Sequence, residues 1–507
     1  MQRDGSPVGS AAPFEIFRPR RKRDWNALLD RLGGSSQLHR CLDVARRAGA
    51  RTAIVEHRYV DADYRSEYST YWSMKFHHVD GFARRVHFFG DDIADDAVHA
   101  IPDTADYIGY IVIRPLDEGV VGRTMLRPPN DLLKKNPVLA DCTDSVSVFG
   151  TPFSVRGVPF CTQDAEYLRC AHVAAWMCHY SAHLRGLIGR QLTTELAAYA
   201  PAEVSDGRRL PSDGLNDQQI QAVFTRAGLP AIRYTIADIP TVIGVDQHPR
   251  VDPTTGRARP RTKAEQDRAT ITTICRYLRS GFPVLVSTER HVFALVGYTE
   301  RSPGGHRHIN FIAADDQVGP YELINPRLTN PKLGAWQAIT IPLLPRVLLA
   351  GESAETDAAT TLTTLRHLAL DDLPIPGDWA TIARGLDSGR YRLQTLLLLA
   401  RDYKRNLPLQ GRANETVERL RLAQQSRWIW IVEAHDEKQR LAGEPSVLAE
   451  FIYDYTSSDR PAPHRLAVSH QGSLTTFDPD TREPRRFSPL QEGPWVSHLR
   501  LHAASRP

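Results

Sequence analysis

The sequence predicts an α+β protein in three parts, and three observations carry that reading. At 507 residues and roughly 100–200 residues per domain, the chain is long enough for about three cores. Its apolar share of 41% and charged share of 24% are those of an ordinary globular protein. Its middle third runs through helical patterns first and strands afterwards, the order of a helix packed on an antiparallel sheet. Residues 1–24 read as a mobile basic tail and 25–146 as an N-terminal α/β domain. Residues 147–345 read as the central domain, and 346–507 as a C-terminal α+β domain of helices and strands.

The elements follow in order. Residues 1–13 are Gly/Ser/Ala/Pro-rich, and Arg18-Pro-Arg-Arg-Lys-Arg23 is a basic run. It reads as a solvated tail, with contact to phosphate or an acidic partner as the functional alternative. Trp25–Leu32 and Gln37–Ala48 predict helices, Ser35 or Ser36 capping the second. Thr52–Glu56, Val86–Phe89 and Tyr107–Arg114 predict strands, the last stopped by Pro115. Tyr59, Tyr64, Tyr68 and Tyr71 stand among acids and read as aromatics packing on a sheet. In the central domain, Val146–Val155 predicts a short strand, and a helix opens at Cys170. A turn follows at Pro211–Gly214, then helices at Asn216–Ala227 and Ala264–Arg279. His248–Lys263 lacks periodicity and reads as a surface excursion. Strands follow at Val284–Val286, Val292–Val296 and within Asn310–Ile324. Beyond Pro345, Glu352–Leu368 and Trp379–Leu407 are helical in pattern, parted by the Pro-rich Leu373–Gly377. Trp428–Glu433 and Val447–Tyr455 predict strands.

Composition excludes several functions. No run approaches ~20 consecutive apolar residues, so no spanning helix and no membrane partner are expected. The opening MQRDGSPVGSAAPFEIF has no continuous apolar core of signal-peptide type, and cytoplasmic residence is the expectation. A net charge of +4 is too small for this length to argue for nucleic acid. Only eight of the 63 basic residues are Lys, and this Arg bias fits a GC-rich bacterial genome before it fits a function. Six irregularly spaced cysteines (Cys41, Cys142, Cys161, Cys170, Cys178, Cys275) read as free thiols unless one does chemistry. No phosphate loop, no Gly-x-Gly-x-x-Gly after a strand and no His-Glu-x-x-His occurs, so no cofactor is expected.

One constellation carries chemistry. Cys170 precedes Ala171, Val173, Ala174 and Ala175 in a helical pattern, and a thiol at a helix start sits at the positive end of the macrodipole, which favours thiolate. Gln163, seven positions upstream, offers an amide that can donate to a developing oxyanion. His291 opens the strand Val292–Val296, where a base can face a helix start packed on the sheet. Asp315 and Asp316 end the next strand, and an acid there can hold the imidazole in its tautomer. Successive strand side chains face opposite sides, so one of the two acids is expected to face His291. Asp315 is preferred and Asp316 stays open.

The order Gln163, Cys170, His291, Asp315, together with Gly281-Phe-Pro-Val284 and His291–Tyr298, resembles the papain-like cysteine peptidase superfamily. It is nearest to the compact bacterial branch that processes bacteriocin leader peptides. The resemblance covers roughly residues 150–345. It departs from the family at Cys170-Ala171-His172, where Cys-Gly or Cys-Trp is usual, and in the Gln163 spacing, one longer than the commoner six. The resemblance implies a papain-like central domain and a thiol hydrolase acting on a peptide or protein. Cys170 is then the nucleophile, His291 the base, Asp315 or Asp316 the orienting acid and Gln163 the oxyanion donor. The long flanks imply regulated cleavage with a regulatory protein partner, and a toxin or phage-defence module would fit. A deamidase or transglutaminase would use the same residues. An inactive scaffold serving protein interaction is the non-enzymatic alternative. Zinc held by Cys161, Cys170, His172, Cys178 and His179 is the third reading, without the Cys-x-x-Cys spacing that structural zinc uses.

Overall fold

In Phe14–Phe17 apolar residues recur around Glu15, and this short run pairs antiparallel with Thr52–Tyr59. Phe14–Phe17, expected to lie in a mobile tail, is therefore a strand. Arg18 adds to this by donating to the Ile93 carbonyl oxygen at 3.0 Å. The computed structural model describes residues 13–116, 120–201, 214–240, 262–301, 308–326, 335–370, 379–456, 465–470, 473–478, 480–487 and 493–504. Residues 1–12, most of the Pro211–Gly214 turn, the excursion at 248–261 and the 373–377 break lie outside the described residues. Helix and strand are both abundant, in keeping with an α+β protein. Among the described residues, no helix is long and apolar enough to cross a membrane.

The chain divides into two compact units. One comprises Met1–Arg233, Pro283–Thr299 and Asn310–Pro342; the other comprises Tyr234–Phe282, Glu300–Ile309 and Leu343–Pro507. The first unit carries two sheets. One is ordered Phe14–Phe17, Thr52–Tyr59, Ala83–Phe89, Tyr107–Ile113, Val121–Leu126, Thr151–Phe160, Cys142–Val148. The boundary expected after residue 146 falls inside Cys142–Val148, because that strand turns through Phe149 and Gly150 onto Thr151–Phe160. Both turn residues have positive φ, 48° and 93°, the geometry that suits a two-residue hairpin. One predicted strand, Val146–Val155, is therefore two.

The other sheet is ordered Gly319–Ile324, His308–Asp315, Val292–Arg301, Val284–Thr288, Trp336–Pro342, Ala231–Thr235, with Val138–Leu139 pairing onto Val292–Arg301. Tyr321 ties the two sheets of this unit together. Its hydroxyl donates to the Leu126 carbonyl oxygen at 2.7 Å and accepts the Val158 N–H at 2.9 Å. Its backbone is left-handed, with φ 62°.

The second unit is built on a six-stranded antiparallel sheet. Its order is Tyr391–Leu399, Trp428–Asp436, Val447–Asp454, Arg465–His470, Ser473–Phe477, Pro484–Phe487. Trp379–Leu407, expected to be helical throughout, is the helix Trp379–Asp387, the strand Tyr391–Leu399 and the helix Ala400–Asn406. The leucine run is buried along nearly its whole length and pairs residue by residue with Trp428–Asp436. The helix Lys263–Arg279 belongs to this unit, where buried Arg276 pairs with Glu352 and Glu355, each at 2.8 Å.

Candidate active site

Cys170 is the first residue of the helix Cys170–Leu184. The helix is apolar on nearly every side and buried from Ala171 to Ala182, as a central helix must be. Cys170 is half-buried, whereas the five other cysteines are buried. Burial pushes the Cys41, Cys142, Cys161 and Cys178 thiols up, toward the inert protonated form.

The loop before this helix is held by a buried ion cluster. Arg114 donates to the Thr162 carbonyl oxygen at 2.6 Å and pairs with Glu67 at 2.6 Å and Asp164 at 3.2 Å. Asp164 Oδ1 accepts the backbone N–H groups of Glu166, Tyr167 and Leu168. Gln163 stands between Thr162 and Asp164, so its half-buried side chain leaves a backbone pinned on both sides. Burial raises the Glu67 carboxyl to about 7 despite the Arg114 guanidinium.

His291 directly precedes the strand Val292–Arg301. Thr288 closes its turn: the Thr288 N–H donates to the His291 carbonyl oxygen at 2.9 Å, and Thr288 Oγ1 accepts the His291 N–H at 3.1 Å. The imidazole stacks beside Phe293, with centroids 5.7 Å apart. Its Nε2 lies 2.9 Å from Asp315 Oδ1 and 3.9 Å from Asp316 Oδ1. The Cys170 thiol is a further side-chain partner of the ring. Burial works against charge on His291, but the hydrogen bonds with Asp315 and Cys170 and the charges of Asp315 and Asp316 outweigh it. The pKa rises to about 10.

Asp316 is the strained member. Burial pushes its carboxyl up to about 7, with Asp315 adding to the rise and His291 and the facing Gln163 side chain opposing it.

The structure brings Gln163, Cys170, His291, Asp315 and Asp316 into one cluster within the first unit. Strict alternation does not separate the two acids, which corrects the expectation that one must turn away. Asp315 is the last residue of its strand, and Asp316 already lies in the turn to Gly319. Sequence reasoning missed Gln317, whose N–H donates to Asp315 Oδ1 at 2.9 Å and whose Nε2 lies 3.2 Å from His291 Nδ1. It also missed Arg114 and Asp164. The signal for Gln317 was its place beside the two acids; Arg114 and Glu67 are too far away in sequence to give any.

His291, Asp315 and Asp316 also offer ligand atoms within 4.8 Å of one another, as do Glu433, Glu450 and His498. In the first group the raised imidazole pKa favours a proton over a cation. Among the described residues, Cys161, Cys170, His172, Cys178 and His179 do not supply such a group. Burial lowers His172 and His179 to about 4, so both are neutral parts of the central helix.

No family model matches the chain. No curated protein matches it either. Among solved structures, UfSP from C. elegans is similar over 37% of this chain at 13% identity, with a TM-score of 0.22. The chain spans about a third (34%) of that protein's length. The overlap is slight, and the distances at His291 stand without it.

Proposed function

We propose that this chain is a papain-like thiol hydrolase that cleaves a peptide or protein substrate. The observation that carries the reading is the 2.9 Å contact of His291 Nε2 with Asp315 Oδ1, on the same ring that meets the thiol at the start of Cys170–Leu184. Asp315 keeps Nε2 occupied, so the proton exchanged with Cys170 is carried by Nδ1, beside which the Gln317 amide also lies at 3.2 Å. The thiolate attacks the carbonyl carbon, and the Gln163 amide and the Cys170 N–H receive the oxyanion. The C–N bond then breaks, and His291 gives its proton to the leaving amine. Water, deprotonated by His291, attacks the thioester, and the acid leaves as the thiol re-forms.

Substoichiometric iodoacetamide followed by peptide mass mapping tests the nucleophile. Cys170 is expected to be alkylated ahead of the other five thiols even at pH 6, where an ordinary thiol reacts slowly, and His291→Ala is expected to slow that alkylation sharply. Equal labelling, or none at Cys170, overturns the proposal in favour of a scaffold. A peptide library then tests the reaction: chain cleavage that is lost in Cys170→Ala supports it, and release of ammonia without cleavage assigns a deamidase instead.

A further inference from the structure

A basic cleft lies on the first unit, built from residues that the triad does not use. Its volume is about 650 Å³. Arg20, Arg21 and Lys22 enter it from the start of the helix Lys22–Leu32, Arg46 from the helix Ser36–Arg47, and Arg51 from the segment before Thr52–Tyr59. Trp25 supplies an apolar wall. Five cations thus face a single lining carboxylate, Asp43. Arg20 is matched by Asp92 and Arg46 by Asp43. Arg21, Lys22 and Arg51 have no carboxylate partner among the described residues, and all three side chains are exposed. Like charges brought together around a cavity repel one another unless an anion joins them. Asp24 accepts the Arg20 and Arg21 N–H groups at the start of this helix, so the side-chain cations, and not the helix amides, make the field.

We infer that this cleft binds a small ligand carrying two or three linked phosphates. Three uncompensated cations match the charge of such a group, and the planar guanidinium fork fits phosphate oxygens in pairs. The cations lie around one cleft with Trp25 as its wall, and this clustering suits a compact polyanion, whereas a long strand of nucleic acid would need a track of cations. None of its lining residues belongs to the triad, so its ligand is a candidate regulator and not a substrate.

Isothermal titration of the full chain with sodium tripolyphosphate, and separately with ATP, tests the inference. Saturable binding is expected, weakened about tenfold in each of Arg21→Ser, Lys22→Ser and Arg51→Ser. Circular dichroism is expected to be unchanged in these surface variants. A response to both probes places recognition on the phosphates, and a response to ATP alone places it on a nucleotide; both support the site. Equal heats from sulfate at matched ionic strength, or unchanged affinity in all three variants, overturn it. Binding of single-stranded oligonucleotide that tripolyphosphate does not displace also overturns it, in favour of a nucleic-acid surface.

Discussion

At the scale of single residues, His291 and Asp316 set the pH behaviour. His291 is raised from 6.5 to about 10. The stability it gains from its partners is full below about 6.5 and is lost as pH rises through about 10. Hydrolysis is expected to fall along an alkaline limb near pH 10, as His291 loses the proton it gives the leaving amine, and Asp315→Asn is expected to move that limb toward neutral pH, because it removes the largest upward influence. A pH–rate profile of peptide cleavage from pH 5 to 11 measures both. Asp316 runs the other way. Its folded pKa of about 7 lies above its ordinary 3.8, so the native state holds the proton more tightly. Its contribution is present below pH 3.8 and lost as pH rises through about 7. Asp316→Asn is expected to raise the melting temperature at pH 8 and to leave it nearly unchanged at pH 4. Cys170, His291 and the acid pair were legible in the sequence because they stand at or beside element ends with recognisable patterns, and Gln163 because of its spacing upstream of Cys170 in the loop. The split between the acids was not, since it depends on where the strand stops and the turn begins.

At the scale of elements, the nucleophile helix depends on the loop before it. Arg114 reaches that loop from the end of a strand about fifty residues earlier, and Asp164 converts the contact into three capped N–H groups. Arg114→Met leaves two buried carboxylates unpaired, which costs about 3–5 kcal/mol. Urea unfolding is expected to show that loss. Cys170 alkylation in the surviving folded fraction is expected to slow as Gln163 and the helix start loosen. Local pattern was enough for Ser36–Arg47, where Ser35 accepts the Leu38 N–H. It failed for Tyr391–Leu399, since an unbroken leucine run has no period to separate a buried strand from a buried helix. Pairing with Trp428–Asp436 decides that case, and pairing is a non-local property.

At the scale of the whole molecule, the two units are interleaved in sequence. Each takes three separate stretches of chain. A chain ending at Pro342 would keep Lys263–Arg279 while losing Glu352, Glu355 and the sheet that belong to the same unit. Buried Arg276 and Tyr277 would lose Glu352, Glu355 and Trp430, and size-exclusion chromatography is expected to find this truncation aggregated. The composition showed a globular chain with several cores, but not this interleaving, because segment boundaries do not reveal which core a segment joins. Tyr321 has a consequence of its own. Its left-handed backbone suits glycine, while its ring must deliver a phenol to Leu126 and Val158. Glycine there would ease the backbone and lose the tether; phenylalanine would keep the bulk and strand a buried amide and a buried carbonyl, costing about 1–3 kcal/mol. Two opposing demands thus meet at one position, and tyrosine meets the side-chain one at the expense of the other.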